Sequence, residues 1–150
     1  MVQISGENLS RIRRVEREIN RKLFFICAVV TVVAMLMTLI EFFGRGEFPS
    51  SRINLFYMGV LFLYSIHKEM IRWLEEKTED RQGEYFLYSW IGLTVLLYTI
   101  NFLTKDYFCY TTNGGPAECI REASVITIEV AIVFLFTRLS KVLKVVIERR

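Results

Sequence analysis

Leu23 to Ile40 reads LFFICAVVTVVAMLMTLI, with no charge, Pro, Asn or Gln among its residues. As a helix rising 1.5 Å per residue it covers roughly 27 Å, close to the roughly 30 Å hydrocarbon core of a bilayer. A soluble chain would have to hide such a stretch on every side. The rest of the sequence does not suggest that it can: 53% of the 150 residues are hydrophobic, mean hydropathy is +0.34, and the apolar residues come in blocks. The reading that follows is a helical integral membrane protein.

Three further blocks lie downstream. INLFYMGVLFLYSI, residues 53–66, covers only roughly 20 Å before His67-Lys68-Glu69, so that polar triplet is expected to snorkel toward one membrane surface. A third block runs from Tyr85 to Thr104, with Tyr85, Tyr88 and Trp90 read as an interfacial aromatic belt. The fourth opens near Ala123 and is apolar through Phe136 except for Glu129. The expected architecture is all-α: one four-span transmembrane domain over residues 1–150, with spans near 23–43, 53–73, 85–104 and 122–142 and short helical extensions. A cleaved leader is not expected, since Ile40-Glu41-Phe42-Phe43-Gly44 lacks a small-x-small cleavage site.

The connections carry turn signals. Gly44, Gly46 and Pro49 interrupt the first helix, and Ser50 or Ser51 can cap the second. Thr78 to Glu84 is polar, with its turn around Gly83. Asn113-Gly114-Gly115-Pro116 reads as a tight turn between two short extended arms. Residues 5–22 place Leu9, Ile12, Ile19 and Leu23 at helical spacing; Glu16 and Glu18 interrupt the basic run and no aromatic is interleaved, which argues against a nucleic-acid partner.

Lys and Arg are unevenly shared. Six lie in the N-terminal arm, four in residues 68–84 and five in the C-terminal tail, against two each in residues 44–52 and 105–122. The positive-inside rule then puts both termini and the middle connection in the cytoplasm. On the opposite side Cys109 and Cys119 bracket the turn, and a structural disulfide is expected between them, with Cys27 a free thiol.

No catalytic, cofactor or metal motif is present, and the chain is expected not to be an enzyme. His67 is the only histidine. The polar residues that need an explanation are those at membrane depth. Glu129 lies roughly 10 Å along the helix from Glu122, level with Thr38, Tyr98, Thr99 and Asn101, which are the expected hydrogen-bond donors to it. Glu69 is expected to pair with Arg138 across helices 2 and 4. Glu41 is expected to reach the interface. Ser124, Thr127 and Ala131 give helix 4 a side of small residues, as close-packed membrane helices prefer.

The function expected from these features is that of a non-enzymatic assembly or accessory protein, packing with copies of itself or another membrane protein. A small oligomeric channel or a proton- or cation-coupled transporter built around Glu129 is the alternative. A thiol–disulfide redox protein comes third, because it would need a second reactive pair and no Cys-x-x-Cys is present.

Overall fold

The computed structural model describes residues 6–45, 47, 51–74, 83–111 and 114–148. Four helices account for nearly all of these: α1 (Gly6–Phe43), α2 (Ser51–Leu74), α3 (Gly83–Leu103) and α4 (Cys119–Glu148). Two of them contain a stretch long and apolar enough to cross a membrane, Arg14–Phe43 within α1 and the whole of α3. In α2 the run stops at His67-Lys68-Glu69, and in α4 Glu129 sits inside it. The expected caps at Ser50 and around Pro49, the stretch 75–82 and the face carrying Leu9 and Ile12 lie outside the described residues or side chains.

Helix ends follow from local chemistry. The amide of Gly44 still bonds to the carbonyl of Ile40 (2.8 Å), and Arg45 then turns left-handed at φ 51°, which ends α1. The end of α3 is fixed by its own polar residues. Lys105 and Asp106 both lie at positive φ (53° and 62°), a region few side chains enter without support. That support comes from Asn101, whose Nδ2 donates to Asp106 Oδ1 (2.7 Å) while its carbonyl accepts from the Asp106 amide (2.9 Å). Tyr107–Cys109 then form a 3-10 turn, where an extended arm was expected. The chain reverses where the turn was expected: Tyr110 and Pro116 face each other in an antiparallel bridge, with Gly114 at φ 81° between them, while Asn113 lies outside the described residues.

The helices form a ring in which α1 packs on α2, α2 on α4, α4 on α3 and α3 on α1, with α1 and α4 also meeting across the centre. The inward positions step by threes and fours: Cys27, Thr31, Ala34, Thr38 and Glu41 on α1; Asn54, Tyr57, Leu61 and Tyr64 on α2; Cys119, Ala123, Ile126 and Val130 on α4. That spacing is the knobs-into-holes register of near-antiparallel bundles. On α1 every inward residue of this series is small or polar, as close helix packing favours, while Phe24 and Phe42 fill the two ends and other large residues point out. Phe25, Val32 and Ile40 are exposed accordingly.

Aromatic side chains fill the space that small residues leave. At one end Phe24, Tyr64 and Phe86 join α1, α2 and α3, with ring centroids 5.6–6.1 Å apart. Midway, Tyr57 lies 5.6 Å from Trp90, and both are fully buried. Trp90 is therefore a core residue and not part of an interfacial belt, whereas Tyr85 and Tyr88 are exposed. At the other end Phe108 stacks on Phe42 (4.7 Å), seating the 3-10 turn on the end of α1.

Candidate functional site

Three polar regions carry the residues singled out by the sequence. The first is the basic end of the bundle, where α2, α3 and α4 enclose a cavity of about 200 Å³. Here the expected Glu69–Arg138 pair is not formed. Glu69 pairs with Arg72 one turn along its own helix, and Arg138 pairs with Glu84 at the start of α3. The physical reason is proximity: Arg72 is an i,i+3 neighbour of Glu69 on one helix face, and α3 packs on α4 so closely that Glu84 reaches Arg138 first. Arg72 also donates to the carbonyl of Thr137 on α4 (3.0 Å), and Lys144 returns a bond to the carbonyl of Arg72 (2.6 Å). Thus α2 and α4 are tied here by cations bonded to backbone. His67 is half-buried, and its Nδ1 has no hydrogen-bond partner among the described residues. No group of three or more His, Cys, Asp and Glu suited to a metal ion occurs among them either.

The second region is an open groove of about 520 Å³ between α2 and α4. It contains Glu129. The inward series of α4 passes through Ile126 and Val130, and Glu129, one residue before Val130, is turned about 100° away from the bundle axis. Its carboxylate is exposed on the outside of the monomer, beside Leu55, Met58, Val125 and Ile132. The four donors expected for it are engaged elsewhere. Thr38 and Thr99 bond back to the carbonyls of Ala34 and Val95, Tyr98 bonds to Ser124 (3.0 Å), and Asn101 holds Asp106 and the Cys109 sulfur. The small-residue side of α4 faces α3, where Thr127 bonds Thr94 at 2.7 Å.

The third region, at the hairpin end, brings together residues that the sequence did not connect. Glu41 does not reach an interface: it is 4% exposed, on the inward series of α1, beside Asn54, Glu122 and Cys119. Asn54 Nδ2 donates to Glu122 Oε2 at 3.3 Å. The signal that could have found this cluster is the three-four spacing itself, since Glu41 continues Ala34 and Thr38 and Asn54 precedes Tyr57 and Leu61 at the same interval.

Cys109 and Cys119 stand at the foot of the same hairpin, and both are free thiols, as is Cys27. The expected disulfide is thus absent from the structure. Cys109 closes the 3-10 turn, and its sulfur accepts from Asn101 Nδ2 at 3.0 Å, while Cys119 is turned into the core at the first turn of α4. Burial, assisted by the Glu41 carboxylate, pushes the Cys119 thiol up to about 11. The hairpin is clamped instead by Arg45. Its guanidinium donates to the carbonyls of Tyr110 (2.9 Å) and Thr111 (3.1 Å) and lies over the Tyr107 ring at 4.5 Å.

No protein family, curated protein or solved structure matches this chain. Chemically, these three regions offer carboxylates, cations and amides held by one another.

Proposed function

We propose that this chain is a four-span membrane protein, with both termini in the cytoplasm, that works as a non-enzymatic assembly or accessory protein by packing against a second copy of itself or another membrane protein. The observation that carries the proposal is Glu129 on the outside of the monomer. A carboxylate at that depth costs roughly 2.5–3.5 kcal/mol against lipid even on the lenient insertion scale, so a neighbouring helix that brings a donor is the inexpensive alternative. The four-span reading is supported by the outward faces of the two less apolar helices. Leu55, Phe56, Phe62 and Leu63 on α2 and Ile128, Ile132, Leu135 and Phe136 on α4 are all exposed. The orientation rests on the basic residues gathered in the N-terminal arm, residues 68–84 and the C-terminal tail. In this orientation the hairpin faces an oxidising compartment, and closure of Cys109 to Cys119 there belongs to the same proposal.

Trp90, Tyr57, Tyr64 and Leu97 fill the core and Glu129 lies outside it, so conduction through Glu129 would call for an inter-subunit path. The test is native mass spectrometry of the protein in detergent and in nanodiscs. Glu129→Gln, which keeps volume and hydrogen bonding, is expected to preserve the native assembly mass, and Glu129→Leu to shift it to monomer. Monomeric native protein, with no partner co-purifying, would contradict the assembly reading. A proton or cation flux in liposomes that Glu129→Gln abolishes would favour the channel or transporter.

A further inference from the structure

The two thiols at the foot of the hairpin stand in unlike settings. Cys109 closes the 3-10 turn and is half-buried, with Tyr107 and Tyr110 on either side of it more than half exposed. Cys119, in the first turn of α4, is fully buried, as is Cys27 on the inward series of α1. Backbone bonds hold the foot in register. The Cys109 amide donates to the Asp106 carbonyl (3.0 Å) and the Cys109 carbonyl accepts from the Ala117 amide (2.6 Å), so Glu118 alone separates the paired arm from Cys119. The Cys109 sulfur is held as well, by the Asn101 amide at 3.0 Å. Arg45, bonded to the carbonyls of Tyr110 and Thr111, and Phe108, stacked on Phe42, fix this foot against the end of α1.

Thiol–disulfide exchange needs a sulfur that an outside disulfide can reach, and its rate depends on access as well as on ionisation. Of this pair only Cys109 offers that access. We propose that Cys109 is the site at which a small soluble disulfide enters the hairpin, and that Cys119 resolves the mixed disulfide formed there. In the first step the Cys109 thiol gives up its proton and its sulfur attacks one sulfur of the external disulfide. The mixed S–S bond forms, the external one breaks, and the departing thiolate takes up the proton. In the second step the Cys119 thiol gives up its proton and attacks the Cys109 sulfur; the mixed bond breaks and the second external thiol leaves. Two thiols of the chain are thereby oxidised to one disulfide, and the external disulfide is reduced to two thiols. Cys119 comes second because burial, which pushes its thiol up to about 11, closes it to a molecule from outside, whereas a sulfur already bound beside it is met at high effective concentration. The inference rests on the orientation proposed above, which puts the hairpin in an oxidising compartment.

The experiment mixes the reduced full chain in detergent with glutathione disulfide, quenches with acid at successive times and locates the adducts by peptide mapping. The native chain is expected to pass through one glutathione adduct at Cys109 and to end with Cys109 joined to Cys119. Cys119→Ser should retain the adduct at Cys109, and Cys109→Ser should take glutathione at Cys119 about tenfold more slowly. Circular dichroism and a monodisperse elution peak establish that the variants are folded; the time course of the native chain decides the order of attack without any substitution. A first adduct at Cys119, or equal rates in the two variants, overturns that order. A Cys119→Ser chain that takes no glutathione at Cys109 overturns the entry site. A membrane-impermeant maleimide on intact cells separates the site from the orientation it rests on. Labelling of Cys109 in Cys119→Ser before the cells are opened is the expected result. Labelling only after they are opened overturns the orientation, while exchange in detergent decides the entry site by itself.

Discussion

Cys119 shows how a single side chain reports on its surroundings. An unfolded thiol ionises near pH 8.5, but the folded one is held neutral until about 11, first by burial and then by the carboxylate of Glu41. The sign follows from which state releases its proton first. Below pH 8.5 the thiol is neutral in both states and its contribution to stability is intact; between 8.5 and 11 the unfolded chain ionises ahead of the folded one, and stability falls. In reduced protein, alkylation at Cys119 is therefore expected to stay slow through pH 9 and rise only toward 11, measured by peptide mapping against an unfolded control. Without reductant, closure of the pair with Cys109 predicts one reactive thiol, Cys27, by intact mass after alkylation in denaturant. Three labelled thiols would show that the pair stays open.

At the scale of the element, what was legible was the number and extent of the helices, and what was not was their rotation. Apolar blocks and turn signals located α1 to α4 because helix length and chain reversal are local properties. Inside and outside could not be told from hydropathy, since a helix that is apolar all round has no polar face to mark the solvent. The marker was instead the spacing of small and polar residues, Cys27, Thr31, Ala34, Thr38 and Glu41. Read that way, Glu41 turns inward and Glu129 outward. The partner of Arg138 was misread for a related reason: depth along a helix says which residues are level, and only rotation says which of them touch. A double-mutant cycle separates the two pairings. Glu84→Gln and Arg138→Gln are expected to couple, each destabilising on the order of 1 kcal/mol because Arg138 is nearly half exposed, while Glu69→Gln and Arg138→Gln should be additive. Coupling of Glu69 to Arg138 would contradict the observed partners. The hairpin offers a third check. Arg45→Ala removes a cation donating to two carbonyls and stacked on Tyr107, at a cost of about 2 kcal/mol, and should raise hydrogen exchange in residues 107–117 without affecting α2. Unchanged exchange would mean that Phe108 on Phe42 holds the hairpin alone.

For the molecule as a whole, the buried and exposed faces divide the work. The inward seam is short of large aliphatic residues on α1 and is completed by aromatics from the other helices, which makes one monomer a closed unit. Among the described residues all four helices expose large apolar side chains, and Glu129 stands exposed with them in the groove between α2 and α4. On the proposed function, such a bundle folds on its own and is completed by a partner on the side that carries Glu129. The most direct measurement uses a photo-reactive side chain at Ile132 in that groove, with the same group at Val32 on the exposed face of α1 as the comparison, in membranes that contain the chain under two different tags. The account predicts a protein adduct from Ile132, carrying the second tag or one defined membrane partner and lost in Glu129→Leu, and lipid adducts alone from Val32. Lipid adducts alone from Ile132 would contradict it.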